Sequence, residues 1–302
     1  MPTTRPPAGG FVVKGFCSRK HFLNSRPIVC KNMILFIRAH KWCLVFLLLL
    51  ANGFVIAQTS TSTMSEAAKA GQKMQNPLYP QIQLPLTYNY NQKLGSNNGT
   101  QQSEIGFGPI IPIGINSDVQ VILNPFLTYN HNTNSQQVTN QNQPIQLATF
   151  IAPAYFDEWY YGIGPYVQAP ATNINNGSKQ TGVGLSAGAY YAPPNWVIGI
   201  TAYNSWGIGN NLSGGTANVV YAQPAITYIT DNAWAYSLSS QVTYNYDAKA
   251  ATNQLTLSGG KTIKVWDYQM QWQVGPTYMI TTTPTSAKGI GAFMGLTFLL
   301  PK

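Results

Sequence analysis

An apolar residue at every second position, sustained through long segments and repeated along most of the chain, is the feature that most limits the fold. Ile105, Phe107, Pro109, Ile111, Ile113 and Ile115 alternate with Glu104, Gly106, Gly108 and Gly114. Val119, Val121, Leu123, Pro125, Leu127 and Tyr129 alternate with Gln120, Asn124 and Thr128. Tyr268, Met270, Trp272, Val274, Pro276, Tyr278 and Ile280 do so with Gln269, Gln271 and Gln273. A period of two belongs to a strand with one apolar and one polar face. Read this way, the chain holds twelve expected strands, near residues 81–91, 103–115, 119–129, 145–156, 159–168, 181–191, 196–206, 218–229, 234–246, 254–263, 266–280 and 289–300. Most are about 10 to 13 residues long, beyond the roughly 5–6 of globular strands and close to the roughly 9–11 that cross a bilayer at a tilt.

The connections alternate in length. Tight turns fall at 116–118, 157–158, 193–195, 230–233 and 264–265, and longer segments rich in Asn, Gln, Gly, Ser and Thr fall at 130–144, 169–180, 207–217 and 247–253. Short turns on one side and long loops on the other describe an outer-membrane barrel. The expected fold is therefore all-β, a transmembrane antiparallel up-and-down β-barrel of about twelve strands with a short N-terminal periplasmic segment. Trp159, Trp196, Trp234 and Trp266 each follow a tight turn, as an interfacial aromatic girdle requires. Six prolines, Pro109, Pro125, Pro153, Pro165, Pro224 and Pro276, share the apolar face. Proline removes a ladder donor and is normally confined to edges or bulges; bulges that bend the barrel wall are one account of its recurrence here.

Composition agrees with burial in lipid. Hydrophobic residues make up 44% and charged residues 8% of the chain, against about 25% charge in soluble domains. The net charge of +9 is concentrated at one end: residues 1–57 hold eight of the 17 Lys and Arg and none of the eight acids. The remainder is close to neutral, which excludes a basic nucleic-acid surface.

Residues 33–57 read MILFIRAHKWCLVFLLLLANGFVIA, a basic start, an apolar run and a small residue before Gln58. This is the layout of a signal peptide, with cleavage expected near Ala57/Gln58. The apolar run is too short for the roughly 20 residues of a spanning helix. The expected organisation is an N-terminal extension at 1–32, upstream of a start at Met33, a signal peptide at 33–57, a periplasmic segment at 58–77 and the barrel at 78–302. Within the third of these, residues 65–73 form the one expected helix, ended by Asn76-Pro77. Cys17, Cys30 and Cys43 all precede Gln58, so the mature part has neither a disulfide framework nor a thiolate metal site.

The stretches QNPLYPQIQLPLTYNYN at 75–91, GPIIPIGI at 108–115, IAPAYF at 151–156, YGIGPYVQAPA at 161–171 and QTGVGLSAG at 180–188 continue with NWVIGITAYNSWGIG at 195–209. QPAITYI at 223–229, LSGGKTIKV at 257–265 and GLTFLLPK at 295–302 follow in order. From about residue 67 to the end, this series resembles the bacterial outer-membrane barrel family named for the MetA pathway of phenol degradation, also called simply transporters. The resemblance implies placement in the outer membrane and a part in the uptake of aromatic or other hydrophobic compounds. The N-terminal extension and the Asn/Gln-rich segment at 130–144 depart from the family.

By parity, the face opposite the lipid carries Glu104, Gln120, Asn124, Tyr160, Tyr166, Gln168, Tyr203, Gln223, Gln241, Gln269, Gln271 and Gln273, together with Thr128, Gln146, Thr201, Ser237 and Ser239. A lumen wall of amides, hydroxyls and phenol rings, without rings of like charge, suits a small neutral or aromatic solute. The expected function is a channel or transporter for such solutes by passive or facilitated diffusion. A structural or surface-binding barrel acting through its external loops is the alternative.

An enzyme is not expected. His131 is the only histidine after Gln58 and lies in an Asn-rich segment, Asp157 and Glu158 are adjacent in a turn, and no group has metal-ligand spacing. No cofactor is expected. The expected partners are outer-membrane lipid and a small neutral or aromatic solute, not nucleic acid, and no pattern specifies an oligomer. Parity also predicts that Gln271→Arg, facing the lumen, is tolerated, whereas Trp272→Arg, facing lipid, impairs assembly.

Overall fold

The computed structural model describes residues 64–94, 99–133, 138–155, 157–170, 180–209, 217–284 and 286–301. The expected extension, signal peptide and cleavage site lie outside the described residues. One helix, α1 (Glu66–Met74), precedes fourteen strand segments. These are β1 (Gln83–Leu94), β2 (Thr100–Phe107), β3 (Ile111–Gly114), β4 (Val119–Thr133), β5 (Val138–Asn142), β6 (Gln146–Pro153) and β7 (Trp159–Gln168). They continue with β8 (Thr181–Tyr191), β9 (Trp196–Ile208), β10 (Val219–Ile229), β11 (Trp234–Asn245), β12 (Ala250–Val265), β13 (Tyr268–Thr281) and β14 (Gly289–Leu299).

Every pairing is antiparallel, and the ring closes on itself. β1 pairs with β14, while β2 pairs with both β1 and β4. The fourteen segments make twelve staves, because two staves are interrupted. β2 and β3 lie end to end along β4, and so do β5 and β6. The expected single strand at 103–115 is therefore broken at Gly108 to Ile110. The expected loop at 130–144 is instead the end of β4 paired with β5, with His131 bonded to Asn140 at 2.7 Å.

Two further turns differ from expectation. The tight turn expected at 264–265 lies at Trp266 and Asp267. The loop expected at 247–253 shrinks to residues 246–249, because β12 already starts at Ala250 and pairs there with Asn245.

Alternation in sequence becomes alternation in space. From Tyr161 to Gln168, β7 is exposed and buried at successive residues, Ile163 being 58% exposed and Tyr166 1%. Outward apolar side chains form a belt that includes Leu185, Leu257, Tyr236 and Met294. In a soluble protein this much exposed apolar surface would drive association; facing acyl chains it is the stable arrangement.

The prolines sit where the ladder opens. Pro165, Pro224 and Pro276 point outward and are exposed. Each pairs with one neighbouring strand, at Leu185, Ile200 and Ala292. On the other side the pairing skips, between Ala148 and Ile151, between Val242 and Ser239, and between Thr256 and Gly259. An antiparallel residue directs its N–H and C=O toward the same neighbour, so a missing N–H opens one side only. Inward polar side chains supply the lost donors. Ser186 Oγ donates to Thr149 O at 2.6 Å beside Pro165, and Asn124 Nδ2 donates to Gly108 O and Pro109 O, both at 3.0 Å, at the β2–β3 break.

Helix α1 forms where the sequence expects it. Ser65 Oγ caps Ala68 N at 3.2 Å, Glu66 opens the first turn and Lys73 closes the last. The hydrogen bond and charge of Lys69 hold the Glu66 carboxyl below its ordinary value. Gln83 Nε2 donates to Lys73 O at 3.1 Å and Asn76 O at 2.9 Å, a second hydrogen bond to each of two carbonyls at the helix end, and ties that end to β1. Ser65→Ala is expected to destabilise α1 by about 1 kcal/mol, read as faster hydrogen exchange at the amides of residues 67–69 with the barrel unchanged.

This helix occupies the barrel interior. Ser65 N reaches Asp231 O at 3.4 Å, and Gln72 Nε2 donates to Pro193 O at 2.6 Å and Trp196 O at 3.1 Å, all at the short-turn end. Gln75 bonds Gln271 and Thr227, inward residues of β13 and β10. A Cβ at Gly71 would lie 2.5 Å from Thr262 Oγ1, so the helix backbone lies against β12. Leu78, fully buried, packs over Gly188 of β8. The described part of the segment expected as periplasmic, residues 64–77, thus packs against the inner faces of the staves.

Candidate functional site

Beyond the helix, the interior holds a partly open cavity of about 400 Å³. Its wall joins polar side chains from most of the staves to seven aromatic rings, Phe126, Phe150, Tyr166, Tyr190, Tyr203, Tyr221 and Phe293. Helix residues Met74 and Gln75 form part of its floor.

The most ordered feature of that wall is a ladder of phenols. Tyr166 of β7 stacks on Tyr203 of β9 at 4.4 Å between ring centroids and 6° between planes, and Tyr203 stacks on Tyr221 of β10 at 4.6 Å and 12°. Tyr166 and Tyr203 meet although β8 runs between their strands. The inward residues of β8 opposite them are Gly184 and Ser186, too small to keep the rings apart. The stretch TGVGLSAG creates this groove by placing Gly and Ser inward and Val183, Leu185 and Ala187 outward.

Hydrogen bonds hold the ladder. Tyr203 Oη donates to Gln146 Oε1 at 3.2 Å, Tyr221 Oη donates to Gln223 Oε1, and Tyr190 Oη pairs with Thr201 Oγ1 at 2.8 Å. Glu104, the one charged residue among the described residues of the wall, accepts from Asn89 Nδ2 at 3.2 Å.

Of the residues assigned inward by parity, the cavity brings together Glu104, Asn124, Gln146, Tyr166, Thr201, Tyr203, Gln223, Ser237, Ser239, Gln241 and Gln273. Thr128 is not part of its lining, and five others are placed elsewhere. Gln120 is buried and donates to Pro153 O at 2.9 Å. Tyr160 meets Tyr79 at 6.0 Å, near the short turns. Gln168 is buried near Gly182, and Gln269 has a buried side-chain oxygen without a protein partner. Gln271 is 1% exposed, bonded to Gln75 and to Thr262 at 3.0 Å. Gln271→Arg is therefore not a harmless lumen substitution, because α1 fills that space. Alternation assigns a face but not a height along the barrel axis, which is why these five fall away from the cavity.

Parity also contained residues that were not singled out. Tyr221 shares the face of Gln223, and Phe126 that of Asn124. Phe293 had no such signal, since its strand carries Ala, Gly and Met around it.

The girdle residues keep to one end of the barrel. Trp159, Trp196 and Trp234 begin β7, β9 and β11. They pack on Tyr191 at 4.8 Å, Tyr228 at 4.8 Å and Trp272 at 5.9 Å. Trp266 does not begin a strand: it sits in the β12–β13 turn at φ +52°, 85% exposed. Among the described residues no group of His, Cys, Asp and Glu could hold a metal ion.

No family model matches the sequence, and no curated protein matches it. Solved structures do. An outer-membrane channel from Pseudomonas putida F1 is similar with a TM-score of 0.56 and 12% identity, over 73% of this chain and 94% of that one. The NanC porin is similar with a TM-score of 0.43 and 13% identity, over 72% and 100%. Phospholipase A from Escherichia coli has a TM-score of 0.43 and 13% identity, over 76% and 98%. The likeness to the Pseudomonas channel shows the fold of an outer-membrane barrel, and the MetA-pathway name does not occur among these matches.

One expectation is corrected by this comparison. The chain was expected not to be an enzyme because catalytic motifs are missing, yet barrels similar to it include phospholipase A, an enzyme. The barrel fold is thus shared by channels and enzymes, and at this level of similarity it assigns no reaction to the chain.

Proposed function

We propose that the protein is a channel of the bacterial outer membrane that passes small neutral or aromatic and hydrophobic solutes by passive or facilitated diffusion. The observation that carries this reading is a partly open cavity of about 400 Å³, with stacked phenols and amides on its wall, inside a closed barrel whose exterior is apolar. That volume lies in the range of about 300–1,000 Å³ of small-molecule sites. Tyr221, at the end of the ladder, and the phenylalanines of the wall offer apolar ring surface to a single-ring solute of the phenol type, and the glutamine amides offer it hydrogen bonds. The name of the Pseudomonas putida protein, an outer-membrane channel, and the sequence resemblance to barrels linked to phenol degradation support the same reading.

A second reading has its own observation. Helix α1 and Leu78 fill the short-turn end of the interior, as a non-conducting structural or surface-binding barrel would allow. Single-channel recording in planar bilayers separates the two. Discrete conductance steps that neutral aromatic solutes interrupt are expected for the channel. A correctly folded protein that never opens, with or without such solutes, overturns it in favour of the second reading.

A further inference from the structure

The cavity wall has an uneven distribution of charge. Among the described residues that line it, Glu104 is the only charged one, and none is Lys or Arg. The carboxylate receives a hydrogen bond from a neutral donor, Asn89. A carboxylate in a confined space without a cation beside it is under-compensated, and an arriving cation gains what water and a single amide do not supply.

The opposite wall complements it. β2, which carries Glu104, stands six staves from β10 in either direction around the ring, so Glu104 and Tyr221 face each other across the interior. Tyr221 ends the phenol ladder. Its hydroxyl hydrogen and that of Tyr203 are directed to glutamine oxygens, which leaves the phenol oxygens with lone pairs as acceptors. Aromatic faces are themselves negative and attract cations. One wall thus presents a carboxylate and the other presents Tyr221, at the end of the ladder, with acceptor oxygens, and a solute held between them touches both.

We propose that this pair of walls binds a small organic monocation, a protonated amine on an aromatic body, in preference to the alcohol or carboxylate of the same shape. The proposal rests on the channel reading and specifies its solute: an aromatic compound enters the cavity, and a single positive charge adds affinity. The ammonium pairs with Glu104 while the ring lies on the phenol ladder. A carboxylate in the same pose meets Glu104 as a like charge and is rejected.

The test uses the full chain refolded in detergent and, separately, in liposomes. Calorimetric titration compares 2-phenylethylamine, 2-phenylethanol and phenylacetate at about pH 7, where the amine is protonated. The amine is expected to bind about tenfold tighter than the alcohol, as about 1.4 kcal/mol from one partly screened ion pair provides. Phenylacetate is expected to bind weakest. Glu104→Gln should bring amine and alcohol to equal affinity, while Glu104→Asp should keep part of the difference. Equal affinity for amine and alcohol in the unmodified protein overturns the proposal, whether or not the variants fold. A preference that survives Glu104→Gln overturns it as well.

Liposome swelling keeps this result apart from the channel reading. If none of the three solutes passes, the channel reading fails while the titration still decides the binding site. If all three pass and bind alike, the channel stands and the cation site falls.

Discussion

Gln271→Arg is expected to keep the protein from reaching its folded barrel, with a loss of about 3–5 kcal/mol of stability, the cost of an unpaired charge in a buried position. Gln271 faces inward, but the space before it belongs to α1. Its amide bonds Gln75 on one side and Thr262 on the other, and a Cβ added at Gly71 would already come within 3.2 Å of Gln271 Nε2. An arginine there would have to displace the helix or bury a guanidinium against the neutral side chains of Gln75 and Thr262. The measurement is the folded fraction by heat-modifiable gel mobility, with urea titration in lipid for the energy. Trp272→Arg serves as the reference, since it places the charge on the outer face against Trp234. Both substitutions are expected to impair folding, for different reasons. A stable barrel with Gln271→Arg would show that the helix does not occupy this position.

Leu78→Asp is expected to release the helix from the interior and raise single-channel conductance by about tenfold or more. Leu78 is fully buried over Gly188 and belongs to the same apolar cluster as Ala68 and Phe150. A carboxylate in that position loses the side-chain burial of about 1.5–3 kcal/mol and adds the cost of desolvating a charge. The remaining attachments of the segment, mainly the hydrogen bonds of Gln72, Gln75 and Gln83, each contribute about 1 kcal/mol net, and water entering from the short-turn end can replace them. The staves close without this segment, through β1, β14, β2 and β4, so the barrel itself is expected to persist. An unchanged conductance in a folded variant would mean that the segment does not limit passage.

The two experiments probe the same packing from opposite partners, the wall and the plug. They also bear on which part of the interior a solute meets. A segment that fills one end makes the cavity a chamber with the long-loop side as its other end, and Glu104 and the phenol ladder lie on the wall of that chamber.

Much of this was determined locally. Strand identity, the inward or outward face of each side chain, the alternation of turns and the helix near residue 66 follow from period, turn residues and capping, which depend on neighbours in the chain. The tryptophans at the starts of β7, β9 and β11 were legible for the same reason. The interruption between β2 and β3 was not, although Pro109 and Pro125 marked the place, because a broken ladder depends on which neighbour the missing N–H faces. Trp266 misled by two residues, since a tight turn tolerates a shift in register that only pairing with the adjacent strand decides.

The tertiary structure alone decided height and opposition. Parity gave Gln271 and Glu104 the same inward face, yet one lies beneath a helix and the other on an open wall, because position along a tilted strand depends on how the whole ring is staggered. The phenol ladder joins β7, β9 and β10 across a groove of Gly184 and Ser186, and the carboxylate stands opposite only because twelve staves close. Those distances are set by closure of the barrel, which no segment of the chain encodes by itself.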